Sequence, residues 1–425
     1  MAAPINAQEK FMRELVFLMQ LEETYGQKPS SFSPTAIPLK DVDLSPMEAD
    51  SVDRSVATGF LGADPSDVVN KRVSLSGQFD QWMLGVDRLD NGEAPPHSAL
   101  FRACGFTETI TGPDATVADS AEPQNSPAGS FTYTQSAPFQ QVLDRTVTLE
   151  CTTAGGSGTA EFKVTAPERA HLAAYEATGQ VMTDDTAFPL VGGAEITPTV
   201  GTTFEVGDTF TIDLRAPGVT YQPVTGGTDS IYGQAFLSDD LHPMPGIRGA
   251  LGWTVEANSY LDMPIALTGM YQDPEEGTPP GIDFSAFQEP VPVSPDATPS
   301  FMLGGEQWVM RSFSIDAASG EPSSRQLVNQ KKIVKPERQP SGNLVVQAPR
   351  VADRNILREI ARSEARLPFE LVHGLDRGGT LVIEGPNLEL RSPQQSGDDD
   401  EVAALEMSAT PLPVNGDDEF KIHLR

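Results

Sequence analysis

Five histidines, His97, His171, His242, His373 and His423, are the first side chains to weigh for chemistry. No two of them stand at ligand spacing with another His, Cys or Asp, so the pattern supports neither a zinc site nor a histidine general base. Acidic pairs occur at Asp184-Asp185, Asp239-Asp240, Glu275-Glu276, Asp398 to Glu401 and Asp417 to Glu419. A glycosidase needs two carboxylates facing each other across a groove, whereas adjacent acids in turns read as solvated loop charges. Gly155 to Thr159 (GGSGT) lacks the lysine of a phosphate loop, and Asp87 to Glu93 (DRLDNGE) puts its acids at the wrong offsets for calcium. No GxSxG elbow is present, and no Ser, His and Asp stand in a hydrolase order. The expectation is a protein that is not an enzyme, with no catalytic residue, no metal site and no cofactor.

Charge narrows the classes further. Asp and Glu number 60 against 29 Lys and Arg, a formal charge of −31 over 425 residues. That field repels phosphates, which excludes an ordinary nucleic-acid binder but not a surface past which DNA slides without sticking. The length allows roughly two or three domains. Two cysteines permit at most one disulfide, and Cys104, in an apolar helical stretch, reads as a buried free thiol. Phe11 to Leu21 is interrupted by Arg13, Glu14 and Gln20 and does not read as a signal peptide. No run approaches the ~18 apolar residues of a membrane span, so a soluble chain made in the cytoplasm is expected.

The elements that would position these residues are mostly strands. Residues 7–22 carry Phe11, Leu15 and Leu18 at helical spacing, and a helix docked on a neighbouring subunit is expected there. A Pro/Ser-rich extended arm follows from Gln27 to Pro46. Short alternating segments at 55–62 and 71–80 read as a hairpin joined by a loop over 63–70. Pro95 to Gly105 reads as a short helix with Pro96 in its first turn and Gly105 as its cap. Thr111 to Ser130 reads as a linker, and the Thr/Val/Phe-rich strands of 131–216 as a small β-sandwich. After a proline-rich bridge (Pro274 to Pro299), strands resume around a helix over Asp353 to Ala365 with Asp353 as N-cap. In that helix Arg354, Arg358 and Arg362 form a basic stripe suited to an acidic neighbour.

The order is repeated. RVSLSGQFD, SALFRACG and IYGQAFL to IALTGMY run parallel to NLVVQAP, NILREIAR and FELVHGL to ALEMSAT, the pattern of a diverged duplication. The expected organisation is an N-terminal helix and arm (1–50), a discontinuous first domain (51–111 plus 217–290), an inserted β-sandwich (112–216) and a second domain (291–425).

Cys104-Gly105-Phe106 after a helix, Tyr221 and Pro223 in a strand, a turn at Gly249-Ala250 and a closing strand with Thr268-Gly269 and Tyr271 together resemble the tail tube proteins of long-tailed (siphovirus-type) bacteriophages. SGNLVVQAPRVADRNILREIARSEARLPFEL resembles the second half of the longer members of that group. The resemblance covers about 1–111 and 217–425. It implies a mainly β chain with two tandem tail-tube-like β-sandwich or barrel folds, each with a short helix, and an inserted Ig-like β-sandwich. It implies a structural protein of the virion tail, assembled in the host cytoplasm into stacked rings around a DNA-conducting lumen. A trimer with pseudo-sixfold symmetry is favoured over a hexamer. Tape measure, tail terminator and distal tail proteins are the implied partners; viral DNA passes without specific binding, and no membrane is involved. Phe11, Leu15, Leu18, Arg354, Arg358 and Arg362 are the expected assembly contacts. The alternative is a secreted or surface β-sandwich protein binding carbohydrate. It has only three tryptophans for sugar stacking, and Trp82, Trp253 and Trp308 all sit in strand-like contexts.

Overall fold

The computed structural model describes residues 10–54, 65–227, 229–316, 322–335, 338–397 and 402–425. The protein is mainly β, with a few short helices and several antiparallel sheets.

The first strands are β1 (Val16–Leu21), β2 (Thr35–Ile37), β3 (Leu39–Asp53) and β4 (Ser66–Asp80). The expected helix over 7–22 is corrected where it can be described: only Met12–Glu14 forms a single 3₁₀ turn, and Val16 onward is strand. The run Val16-Phe17-Leu18-Met19 can present apolar groups to both sides, and β1 is sandwiched in register between β2 and a later strand. That pairing overrides a helical spacing. The expected strand over 55–62 lies outside the described residues. The expected loop over 63–70 is in part the start of β4, and the supposed arm supplies β2 and β3, with Pro46 inside β3. A proline is tolerated there because, among the described residues, β3 pairs on one side only, with β4.

Helix α1 (Val86–Asn91) occupies the segment that resembled a calcium loop, ending on Gly92 in the left-handed region. Helix α2 (Ser98–Ala103) follows, then β5 (Phe106–Thr111). Gly105, at φ 84, takes the positive angle expected of the residue that stops α2.

Residues 117–216 build a separate apolar core. Strands β6 (Glu122–Pro123), β7 (Ser130–Ala137), β8 (Arg145–Thr153), β9 (Glu161–Ala166), β10 (Tyr175–Val181), β11 (Phe188–Pro189), β12 (Glu195–Thr202) and β13 (Thr209–Leu214) form a five-stranded sheet, β10-β9-β8-β13-β6, and a three-stranded sheet, β11-β12-β7. Alternating burial along β8 and β9 turns Val147, Leu149, Phe162 and Val164 inward.

The remaining strands are β14 (Gly218–Pro223), β15 (Ile231–Leu237), β16 (Asp240–Glu256), β17 (Asp262–Met270), β18 (Glu275–Glu276), β19 (Ser300–Leu303), β20 (Glu306–Gln307), β21 (Met310–Asp316), β22 (Ser323–Leu327), β23 (Gln330–Val334), β24 (Ser341–Gln347), β25 (Arg366–His373), β26 (Leu381–Gly397), β27 (Ala403–Pro411) and β28 (Lys421–Leu424). Gly249 and Ala250 lie inside β16, not in a turn. Gly249 is needed there because a Cβ would come within 2.8 Å of Cys104 Sγ beneath α2. Helix α3 (Ile356–Ala361) is shorter than expected, and its N-cap is Asn355, which accepts from the Arg358 N–H at 3.0 Å; Asp353 lies outside the first turn.

Eight strands join edge to edge, all antiparallel: β3-β4-β17-β16-β21-β24-β27-β26. One face carries Leu75, Leu267, Phe313, Leu344 and Met407 into the core; the other carries Ser74, Ser76, Thr268, Ser314, Asn343 and Ser408. Strands β16 and β26, 17 residues each, change neighbours midway. The first part of β16 pairs with β15 and the first part of β26 with β25 and β28. One apolar core runs from Phe17 to Leu424 and includes residues of both halves of the chain.

Candidate assembly surfaces

The strand order contains the same unit twice. A hairpin (β3-β4, then β21-β24) leads through a helix (α2, then α3) to a bent strand (β16, then β26) and a closing strand (β17, then β27) that pairs back on the hairpin. Among the described residues the two units meet edge to edge at the β16–β21 seam, and the halves of the chain pair a second time where β14 lies against β28, Val219 opposite Leu424. Beyond its pairing with β15, the same edge of β16 runs alongside β21, with Gly252 opposite Asp316, Trp253 opposite Ile315 and Glu256 opposite Ser312.

At the two ends of the eight-stranded run the corresponding edges have no partner among the described residues. The edge of β26 that pairs with β25 as far as Glu389 continues past Leu390 as an unpaired edge from Arg391 to Gly397, where every residue is exposed. The outer edge of β3 is likewise unpaired. A long bare edge is a template for another chain.

The expected contact residues distribute as follows. Phe11 is 57% exposed and precedes the 3₁₀ turn that lies against β3. Leu15 packs partly against the core, and Leu18 is buried with Ala36 and Phe236, so Leu18 is internal packing in the single chain. Arg354 is committed internally: it pairs with Glu306 at 2.7 Å and Glu359 at 3.0 Å and lies over the Trp308 ring. Arg358 and Arg362 are exposed, with no ion pair among the described residues. Helix α3 packs against β26, and Ala365, just past the helix, accepts the Leu390 N–H where the open edge begins. The edges themselves were missed in the sequence; Pro46 and Pro393 inside strand segments were the available signal.

The inserted sheets are seated on the body by three sets of contacts. Val142 and Leu143 pack on Val372 and Val382. Arg169 bridges Glu370 and, at 3.3 Å, Glu384. The buried Arg425 reaches the carbonyl of Ala216 and stands 3.5 Å from Asp144. Glu384 also accepts from His423 Nε2 at 3.2 Å; that hydrogen bond, with the nearby Arg169 and Lys421 charges, holds its carboxyl at about 2. Beside this seat a cleft of about 700 Å³ opens between Arg169 and the Phe369, Pro368 and Met302 surface.

His97, His373 and His423 are packed or hydrogen-bonded within the fold. His97 is fully buried among Phe79, Phe101 and Phe287, burial pushes its pKa down to about 3, and neither ring nitrogen has a hydrogen-bond partner. His373 bonds to Thr298 Oγ1 and to the carbonyl of Val291. Burial raises the Cys104 thiol to about 12, far from a reactive thiolate. No group of three metal-ligating side chains occurs among the described residues. Trp253 is buried, while Trp82 and Trp308 lie outside the strands and pack half-buried against the core. No helix among the described residues is long and apolar enough to cross a membrane. No protein-family model matches the chain, and no curated protein matches it.

Proposed function

We propose that the chain is the tail tube subunit of a siphophage-type virion, a structural protein that closes into rings and stacks them into a DNA-conducting tube. The observation that carries this reading is the seam between β16 and β21, together with the free edges of β26 and β3 that repeat its two sides. A unit that joins its own copy in this way within the chain is built to join the next copy across chains. Joining β26 of one chain to β3 of the next is a heterologous contact, which generates a ring when the rotation closes.

On this reading each chain carries two tube-like folds, so three chains supply six units and pseudo-sixfold symmetry. The polar face of the eight-stranded sheet faces the lumen. Its serines, threonine and asparagine, with Glu406 and the Asp80 and Asp262 that pair with Lys40 on the same face, offer DNA a hydrated wall in a chain whose net charge repels phosphate. The inserted sandwich, the Ig-like part of the chain, sits on the outer wall. The tape measure, terminator and distal tail proteins are the neighbours such a tube requires.

Negative-stain microscopy of the purified chain at rising concentration tests the proposal. Rings of three chains with a central hole are expected. Six-chain rings would sink the two-unit reading, and chains that stay single even when offered a tail initiator complex would sink the tube reading altogether.

A further inference from the structure

We infer that the open β26 edge of one chain pairs with β3 of a second copy antiparallel and in one register, with Gln394 opposite Ser45 and Ser396 opposite Asp43. This rests on the ring reading above and deepens it by naming the residues that meet.

The register follows from the duplication. The last residues of the two hairpins, Asp80 and Gln347, stand opposite Asp262 and Ala404, so these positions correspond between the units. Thr254 faces Asp262 as Ser396 faces Ala404, which makes Ser396 the counterpart of Thr254. Ser76 and Asn343 lie equally far back from the hairpin ends, and they face Asp43 and Ser314. Asp43 is therefore the counterpart of Ser314. Within the chain Thr254 stands opposite Ser314 across the antiparallel seam, with Trp253 opposite Ile315 and Gly252 opposite Asp316. Carried over to two chains, the same ladder sets Ser396 opposite Asp43, Gln395 opposite Leu44 and Gln394 opposite Ser45.

Three features of the edges fit this register. The faces agree: Gln394 and Ser45 stand opposite Glu406 and Ser74 of the polar face, while Gln395 and Leu44 stand opposite Leu405 and Leu75 on the core side. A slip by one residue would join the core face of one chain to the polar face of the other.

The bulges agree as well. Strand β26 gains a residue over β27 between Arg391 and Gln394, and β3 gains one over β4 between Ser45 and Glu48. In this register both bulges lie at one level, and the ladder keeps step on either side of them. Each bulge holds a proline, Pro393 and Pro46, so the two missing N–H groups fall together and interrupt the ladder once. Past the bulges the charges agree: Arg391, which pairs with Glu389 in its own chain, comes level with Glu48.

Cysteine pairs in the full chain test the register, since Cys104 and Cys151 are buried and free. Q394C/S45C and S396C/D43C are in register; Q394C/D43C and S396C/S45C are slipped. Each variant is checked for the parental circular dichroism and for rings by negative-stain microscopy before mild oxidation. Residues 45 and 394 lie on the two outermost strands of the eight-stranded run, so a disulfide between them joins two chains. The in-register pairs are expected to link at least about tenfold faster than the slipped ones, because directly opposed Cβ atoms lie about 4.5–5.5 Å apart and diagonal ones farther. Gels run without reductant should show chains joined in twos and threes. Slipped pairs that link as fast as the others within rings would overturn the register and leave the ring reading standing. Rings in which no pair links would overturn the contact between β26 and β3 itself. A parent that never leaves the single-chain state would overturn the ring reading and this inference with it.

Discussion

Trp253 and Phe420 meet edge to face with their ring centroids 6.0 Å apart, although one lies in the first unit's bent strand and the other just before the last strand of the chain. Trp253 also stacks on Phe101, meets Phe106 edge to face, and its indole N–H donates to Gln81 Oε1 at 3.3 Å. The two halves of the chain therefore bury one aromatic cluster between them.

Trp253→Ala should cost about 3–5 kcal/mol, the range for emptying a buried aromatic site. Because the cluster is shared, both halves should lose structure in one denaturant transition, read by near-UV and far-UV circular dichroism together. Separate transitions for the two halves in the parent would refute a common core.

His97 makes the fold sensitive to mild acid. Its folded pKa of about 3 lies below the ordinary 6.5, so above pH 6.5 it contributes nothing to the pH dependence. As pH falls below that, the unfolded chain binds a proton that the folded chain refuses, and stability drops by up to about 1.4 kcal/mol per pH unit until the folded pKa is reached. His97→Phe should remove that slope and the two unpaired ring nitrogens together. Denaturant midpoints of parent and variant from pH 7 to 4 decide it: parallel curves would rule the histidine out.

The insert's seat depends on Arg169. Removing it in Arg169→Ala leaves Glu370 and Glu384 facing the cleft without their guanidinium, and limited proteolysis should then cut the 112–117 and 214–218 connections faster. Glu384, with its carboxyl held near 2, stabilises the fold fully above the unfolded value of about 4.3, and that contribution fades as pH drops toward 2. His423→Ala should flatten the acid loss, since the hydrogen bond that lowers Glu384 most comes from His423. An unchanged acid profile in that variant would dismiss the His423–Glu384 contact as a source of stability.

How far the sequence could be read depends on whether neighbours or distant strands decide each element. Gly304-Gly305 between β19 and β20 is a local signal, both residues at positive φ, and such a hairpin is legible. So are α2 with its Gly105 stop and the Thr/Val/Phe strands that form β8, β9 and β13. Leu15 and Leu18 look helical in isolation, and only the pairing of Val16–Leu21 with residues 231–236, more than two hundred positions away, makes a strand. Asp353 lost the N-cap to Asn355 by two residues, a boundary that local preference does not resolve. The open edges were illegible for a deeper reason: an unpaired edge is defined by what the rest of the chain leaves uncovered. Arg169 and Arg425 were missed on the same ground, because each acts on partners far along the chain.

The edges also give the assembly its most direct readout. In the single chain the outward amides of Arg391 to Gly397 and of β3 have no strand to bond, so they should exchange with deuterium within seconds, like other exposed backbone. The seam strand β21, bonded to β16 on one side and β24 on the other, should already be protected in the single chain. When rings form, protection should appear at Arg391–Gly397 and along β3 together, while the exposed tip at Val328, in the hairpin between β22 and β23, need not change with them. Concerted protection of both edges is the signature of one strand ladder shared between copies. Rings in which either edge stays open to exchange would show that the chains associate through some other surface, and the seam would then be a feature of the single chain alone.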